Sequence, residues 1–229
     1  MRLVPQSSRL SNASAATTSA ASNSRAASAA SVAGVSLSLA GVVILLGIIT
    51  AEALYPATYT TFENEISDLG ATRPPNSIIL QPSARIFNGT MLASGALILT
   101  SAAMLMRSMP KRRMGIWVGL MGLGVFGVGV FPGNMSPYHG IFALLAFVAG
   151  GAGAIACGTV ARGPIRWLSI TLGTVALGSL LVAMLGDLTP ALEELGDGGV
   201  ERWVAYPTVL WLTLFGGYLL GTTGETGSE

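Results

Sequence analysis

Apolar residues fall into six long runs separated by polar segments, and this alternation is the dominant pattern of the chain. The runs cover residues 32–51, 86–106, 114–131, 140–160, 168–188 and 204–221. About 20 mostly apolar residues, at about 1.5 Å each, cross the hydrocarbon core of a bilayer. Lipid offers no partner to backbone N–H and C=O groups, so each run must satisfy its own as a helix. The pattern predicts an all-α polytopic bundle of six transmembrane helices, a multi-pass protein of the cell membrane. The last run carries Pro207 near its start. From Pro207 to Gly221 a helix spans only about 22 Å of a roughly 30 Å core. Its start is therefore expected near Val200, with a bend at Pro207.

Composition agrees. Of 229 residues, 51% are hydrophobic and 10% are charged, against about 25% charged in soluble domains. A net charge of +1 gives no attraction to nucleic acid, and none is expected as a partner. The single Cys157 excludes an internal disulfide, and the single His139 excludes a bis-histidine haem or a three-histidine zinc centre within one chain. No metal and no cofactor is expected.

Residues 1–31 are rich in Ser and Ala and read as a disordered tail. Residues 32–221 form the membrane domain, and 222–229 a short polar tail. Small residues recur four apart at Gly115 and Gly119, Ala149 and Gly153, Gly217 and Gly221. Such pairs let helix backbones approach closely and permit a homo-oligomer through glycine-rich faces.

Charge sets the expected orientation. With the N-terminus inside, nine of the twelve basic residues lie on the inner side, among them Arg107, Lys111, Arg112, Arg113, Arg162 and Arg166. Short positive loops stay cytoplasmic, so both termini are expected in the cytoplasm. Nine of the eleven acids fall in the outer segments. The polar chemistry is thus expected on the outer face.

Three segments make that face. In the first, Thr60 and Glu63 have the spacing of a capping box, and Phe62, Ile66 and Leu69 share one helical stripe. The pattern predicts a short amphipathic helix over 61–69, lying at the interface. Asp68 then sits at its C-terminal end, where the helix dipole disfavours a carboxylate. Arg85 or Arg202 would be its partner. In the second segment Ser136 fits as N-cap with Pro137 at the first helical position. His139 falls in the first turn, where an imidazolium is disfavoured and a neutral ring can act as a general base. In the third, Asp187 ends a span, a costly place for a carboxylate without a partner. Its candidate partners are His139, Arg85 and Arg202. Asn88, one turn into the second span, is placed to hydrogen-bond across helices.

The segments Tyr55-Pro56, Glu65-Ile-Ser-Asp-Leu-Gly70, Phe87-Asn88 and Phe131-Pro-Gly-Asn134 with His139 carry a resemblance. So do Tyr206-Pro207 and Phe215-Gly-Gly-Tyr218. Over roughly 32–221 the chain resembles the membrane family catalogued as domain of unknown function 998. The resemblance implies a prokaryotic integral membrane protein of six to seven helices and implies no reaction.

The leading expectation is an outward polar cavity that binds a lipid or other amphiphile, lined by Glu63, Asp68, Arg85, Asn88, Asn134, His139 and Asp187. Arg202 joins them as a further candidate ligand residue. Membrane lipids would be the partners. The alternative is an intramembrane enzyme acting on a lipid, with His139 as base, Asp68 or Asp187 orienting it and Arg85 clamping an anion. A transporter is a second alternative, against which stands the absence of a charged residue in the middle of any span.

Overall fold

The computed structural model describes residues 6–107, 112–185 and 194–224. Among these, six helices are long and apolar enough to cross a membrane, and no strand occurs. They are α1 (Gln6–Ala53), α2 (Ser83–Met106), α3 (Arg112–Val130), α4 (Tyr138–Val160), α5 (Pro164–Leu185) and α6 (Gly196–Gly224). The membrane-crossing part of α1 is Ala26–Ala53. The helix itself starts at Gln6, within the Ser/Ala-rich stretch that composition reads as disordered. Alanine, the strongest helix former, makes this continuation inexpensive. α6 begins at Gly196, four residues before the expected start, and Pro207 lies inside it.

Each helix packs on the next in sequence, and α6 returns to α1, so the six close a ring. Neighbours run antiparallel. Gly34 meets Gly216 and Leu220 near one end of the bundle, and Glu52 meets Arg202 near the other. The start of α1 and the end of α6 therefore share one end.

In lipid, helices gain nothing from burying apolar surface against each other, so close van der Waals contact must hold them. Small residues provide it at nearly every crossing. A Cβ added to Gly41 would stand 2.8 Å from the Val209 carbonyl oxygen, and one on Gly95 2.5 Å from the Phe126 nitrogen. On Gly124 it would stand 2.4 Å from the Ala146 nitrogen, and on Gly173 2.5 Å from the Gly151 oxygen. Of the small pairs seen in the sequence, Gly115 packs on α2 and Gly153 on Trp117, inside the bundle. Gly217 and Gly221 have nothing within 4 Å and face outward.

The heart of the bundle is aromatic. Trp211 and Phe215 of α6 are fully buried and stack with centroids 5.2 Å apart. The Trp211 indole N–H donates to the Ser169 hydroxyl at 3.1 Å, which satisfies a buried donor and ties α6 to α5.

The first connecting segment departs from the expected interfacial helix over 61–69. Thr60 Oγ1 does accept the Glu63 N–H at 3.0 Å, as a cap should. The turn ends there, because Glu65 is extended (φ −63, ψ 154) and a separate 3-10 turn, Ile66–Leu69, follows. Ile66 and Leu69 are buried in the bundle's roof, and only Phe62 stays exposed. Competition from side chains explains the break. Asn64 Oδ1 accepts the Thr60 N–H at 3.0 Å, and Asp68 Oδ2 accepts the Glu65 N–H at 3.1 Å. Ser136 likewise is not the cap of α4. Pro137 holds that position without a side-chain bond, and the exposed Ser136 lies outside the helix.

Candidate functional site

Two polar knots occupy the end of the bundle opposite the start of α1. The first centres on Arg202, in the second turn of α6. Its guanidinium pairs with Glu52 at 2.5 Å and donates to the Tyr59 hydroxyl at 2.9 Å. It also donates to the carbonyl oxygens of Gly198 (2.8 Å) and Asn64 (3.1 Å) and stands over the Tyr59 ring. The Tyr59 hydroxyl donates in turn to the Glu65 carbonyl at 2.9 Å. Burial raises the Tyr59 hydroxyl above its ordinary range, against the pull of Arg202. Both terminal nitrogens of Arg202 are spent on the fold, so this arginine joins α6, α1 and the first connecting segment.

The second knot surrounds the 3-10 turn. The neighbouring Glu201 carboxylate accepts the Ile66 N–H. Arg73 reaches both oxygens of Glu65, at 2.7 and 2.8 Å, and Ser67 donates to Glu65 at 3.3 Å. Burial lifts both the Glu65 and Asp68 carboxyls above their usual range. For Glu65, Arg73 opposes the lift and Asp68 adds to it. For Asp68, the bond from the Glu65 N–H opposes it.

His139 faces this knot from the first turn of α4. It is 7% exposed, and its Nδ1 lies 2.7 Å from the Phe131 carbonyl oxygen. A carbonyl can only accept, so Nδ1 carries the proton and Nε2 is the free ring nitrogen. Among the described residues no group hydrogen-bonds Nε2. Asp68 and Arg73 are near enough to bias the ring electrostatically.

A cleft of about 1060 Å³ opens between α4, α5 and α6 beneath the first segment. Its polar lining is Glu63, Glu65, Ser67, Arg73, Ser136, His139, Asp197 and Glu201. Its apolar lining includes Ala143, Leu144 and Phe147 of α4, Leu180, Ala183 and Met184 of α5, and Val204 of α6. A small inner cavity of about 80 Å³ lies at the ring's centre. Its walls share Ser67, His139, Ala143, Phe147 and Glu201 with the cleft. Those side chains form the partition between cleft and core.

The candidates from sequence divide. His139 and Glu63 line the cleft, and Asp68 stands behind it, coupled to His139. Arg85 is exposed and lines neither cavity, so it is not the partner of Asp68, and neither is Arg202. Asn88 packs against Gly70, with its Oδ1 buried and without a hydrogen bond. Asn134 is partly buried beside the cleft without lining it. Asp187, like Lys111, lies outside the described residues. The charged lining residues missed were Glu65, Arg73, Asp197 and Glu201. Glu65 begins the Ile-Ser-Asp-Leu-Gly motif, and Glu201 sits between Val200 and Val204 on an apolar helix start, so both left a trace. Among the described residues no group of three or more His, Cys, Asp or Glu side chains is placed to hold a metal ion.

A family model for the proteins of unknown function DUF998 matches residues 38–218. The chain belongs to the DUF998 family. The matched part of this DUF998 protein contains four of the six spans whole, parts of the first and last, both polar knots and the cleft. No curated protein and no solved structure matches it.

Proposed function

We propose that this chain is a multi-pass protein of the cell membrane, with both termini in the cytoplasm, whose cleft holds an amphiphile such as a membrane lipid. One observation carries the reading: the cleft lining changes character along its length. Carboxylates, Arg73 and His139 gather under the first connecting segment, and aliphatic and aromatic side chains follow. Along α4, His139 to Phe147 is a descent of about 12 Å at 1.5 Å per residue. A polar head at the top and an alkyl chain below match that gradient, as ligand sites match mostly apolar walls with a few placed polar groups. The position of α5 supports an opening towards lipid. It is the least buried of the spans, and Met184 of the cleft wall is 68% exposed.

Purification with native lipids followed by mass spectrometry of retained species tests this. The wild type is expected to keep an amphiphile in near-stoichiometric amount. Leu144→Trp, which fills the cleft from the exposed side of α4, is expected to lose it without a drop in unfolding temperature. A wild type that retains nothing above the bulk lipid background would overturn the reading.

A second reading, an enzyme acting on that amphiphile, is favoured by one observation. His139 lines the cleft, and its bond to the Phe131 carbonyl holds the tautomer that leaves Nε2 free. Such a nitrogen is suited to a general base. Turnover of the retained species by the wild type and not by His139→Ala would favour this reading. Stable retention by both favours binding alone.

A further inference from the structure

The charge in the cleft is one-sided. Glu63, Glu65, Asp197 and Glu201 contribute four carboxylates, and Arg73 is the one Lys or Arg side chain among the described lining residues. Arg73 is already paired with Glu65. Arg202 is turned away into its knot with Glu52, and Arg85 lies elsewhere. Anionic heads therefore meet no uncommitted cation at this site.

Asp197 and Glu201, by contrast, make no salt bridge among the described residues. Asp197 is exposed to the cleft and makes no side-chain hydrogen bond among the described residues. Glu201 accepts the Ile66 N–H and stands at the Ser67 N–H as well, and it lines the cleft without a salt bridge among the described residues. The independent observation is His139. The residue is 7% exposed and lines the cleft, and its Nε2 has no hydrogen-bond partner among the described residues. With the proton fixed on Nδ1, a neutral ring offers Nε2 as an acceptor only. An unpartnered acceptor that lines a cleft together with carboxylates calls for a donor that is also a cation.

We infer that the amphiphile carries a protonated primary amine as its head, bound by the Glu201 and Asp197 carboxylates and by His139 Nε2. This rests on the amphiphile reading above and specifies its chemistry. A primary ammonium has three N–H donors, which matches three acceptors. A quaternary ammonium has the same charge and no N–H, so it satisfies the field and leaves His139 unpaired. Selection between the two therefore reports on hydrogen bonding and not on charge alone.

The test uses the full-length protein in phosphatidylcholine nanodiscs, whose lipid head has no N–H. Binding of dodecylamine, dodecyltrimethylammonium and dodecyl sulfate is measured by calorimetry and by the rise in unfolding temperature. Phosphatidylethanolamine is titrated separately, which tells an aminolipid source from a free long-chain amine. Dodecylamine is expected to bind at least ten-fold more tightly than the quaternary amine and the sulfate. Glu201→Gln is expected to weaken it ten-fold or more while still accepting the Ile66 N–H. Asp197→Asn, at an exposed position outside both knots, is expected to weaken it several-fold without altering the unfolding temperature of the empty protein. Equal or tighter binding of the sulfate, or equal binding of the quaternary amine, would overturn the inference and leave the amphiphile reading standing. An unchanged affinity in Asp197→Asn and Glu201→Gln would also overturn the inference. Binding of none of the three, and no retained native species, would sink both.

Discussion

Arg202 and Glu52 stand 2.5 Å apart although 150 residues separate them, and their bond clamps the last helix of the ring to the first. Both side chains are largely withdrawn from solvent, at 10% and 22% exposure. Removing one partner of such a pair leaves the other charge unpaid and typically costs about 3–5 kcal/mol. Arg202→Met is therefore expected to destabilise the protein by about 3 kcal/mol or more, read as the loss in equilibrium unfolding in mixed micelles. Arg202→Lys keeps the charge and loses the fork that reaches Tyr59, Gly198 and Asn64 together, so it should fall between wild type and Arg202→Met.

Two glycines separate packing inside the ring from surface outside it. Gly124→Ala drives a methyl to 2.4 Å from the Ala146 nitrogen, backbone against backbone, with no flexible side chain to yield. The expected loss is about 1–3 kcal/mol, the range for an overpacked site. Gly217→Ala meets nothing within 4 Å and should leave unfolding unchanged or slightly delayed. Gly217→Leu adds a test of self-association. A dimer seen by crosslinking in the wild type and lost in this variant would place the contact on the outer face of α6.

Acidity should strengthen the first connecting segment. The Glu65 and Asp68 carboxyls lie above their ordinary range in the folded protein, so the folded state binds protons more tightly than the unfolded. Their contribution is greatest below the ordinary carboxyl range, near pH 4. It is lost as pH rises through the higher folded values. Unfolding temperature is thus expected to fall from pH 4.5 to about 7.5 relative to an Asp68→Asn, Glu65→Gln double variant. A difference curve that is flat, or that rises with pH, contradicts the assignment.

Orientation is open to direct measurement because the native thiol is silent: Cys157 is fully buried. New cysteines at Asn76, in the exposed first segment, and at Pro164, at the start of α5, lie at opposite ends of the bundle. An impermeant maleimide applied to intact cells is expected to label Asn76→Cys and spare Pro164→Cys. Equal labelling would remove the proposed topology.

The spans were legible because lipid permits one solution. An apolar run of spanning length must close its own hydrogen bonds, and all six did so. The lone His139 in a first turn was legible for a similar reason, through Pro137 and the end of the preceding run. The segment between α1 and α2 was not. Thr60, Glu63, Phe62, Ile66 and Leu69 do spell an amphipathic helix locally. Glu201, supplied from 135 residues away, instead takes the Ile66 N–H and favours the 3-10 turn. Arg202 misled in the opposite sense. Sequence offers it as a free cation near the acids, and only the fold reveals that Glu52, Tyr59 and three carbonyls have consumed it.

The same long-range bonding has a meaning for biogenesis. The roof over the first hairpin is pinned by Glu201 and Arg202, near the start of the final span. Until the ribosome has delivered that span, the ring lacks its closing stave, and the glycine-lined flank of α1 stays bare. A chain stopped before residue 196 would carry five of the spans and still lack the bonds from Glu201 and Arg202 that hold this ceiling in place.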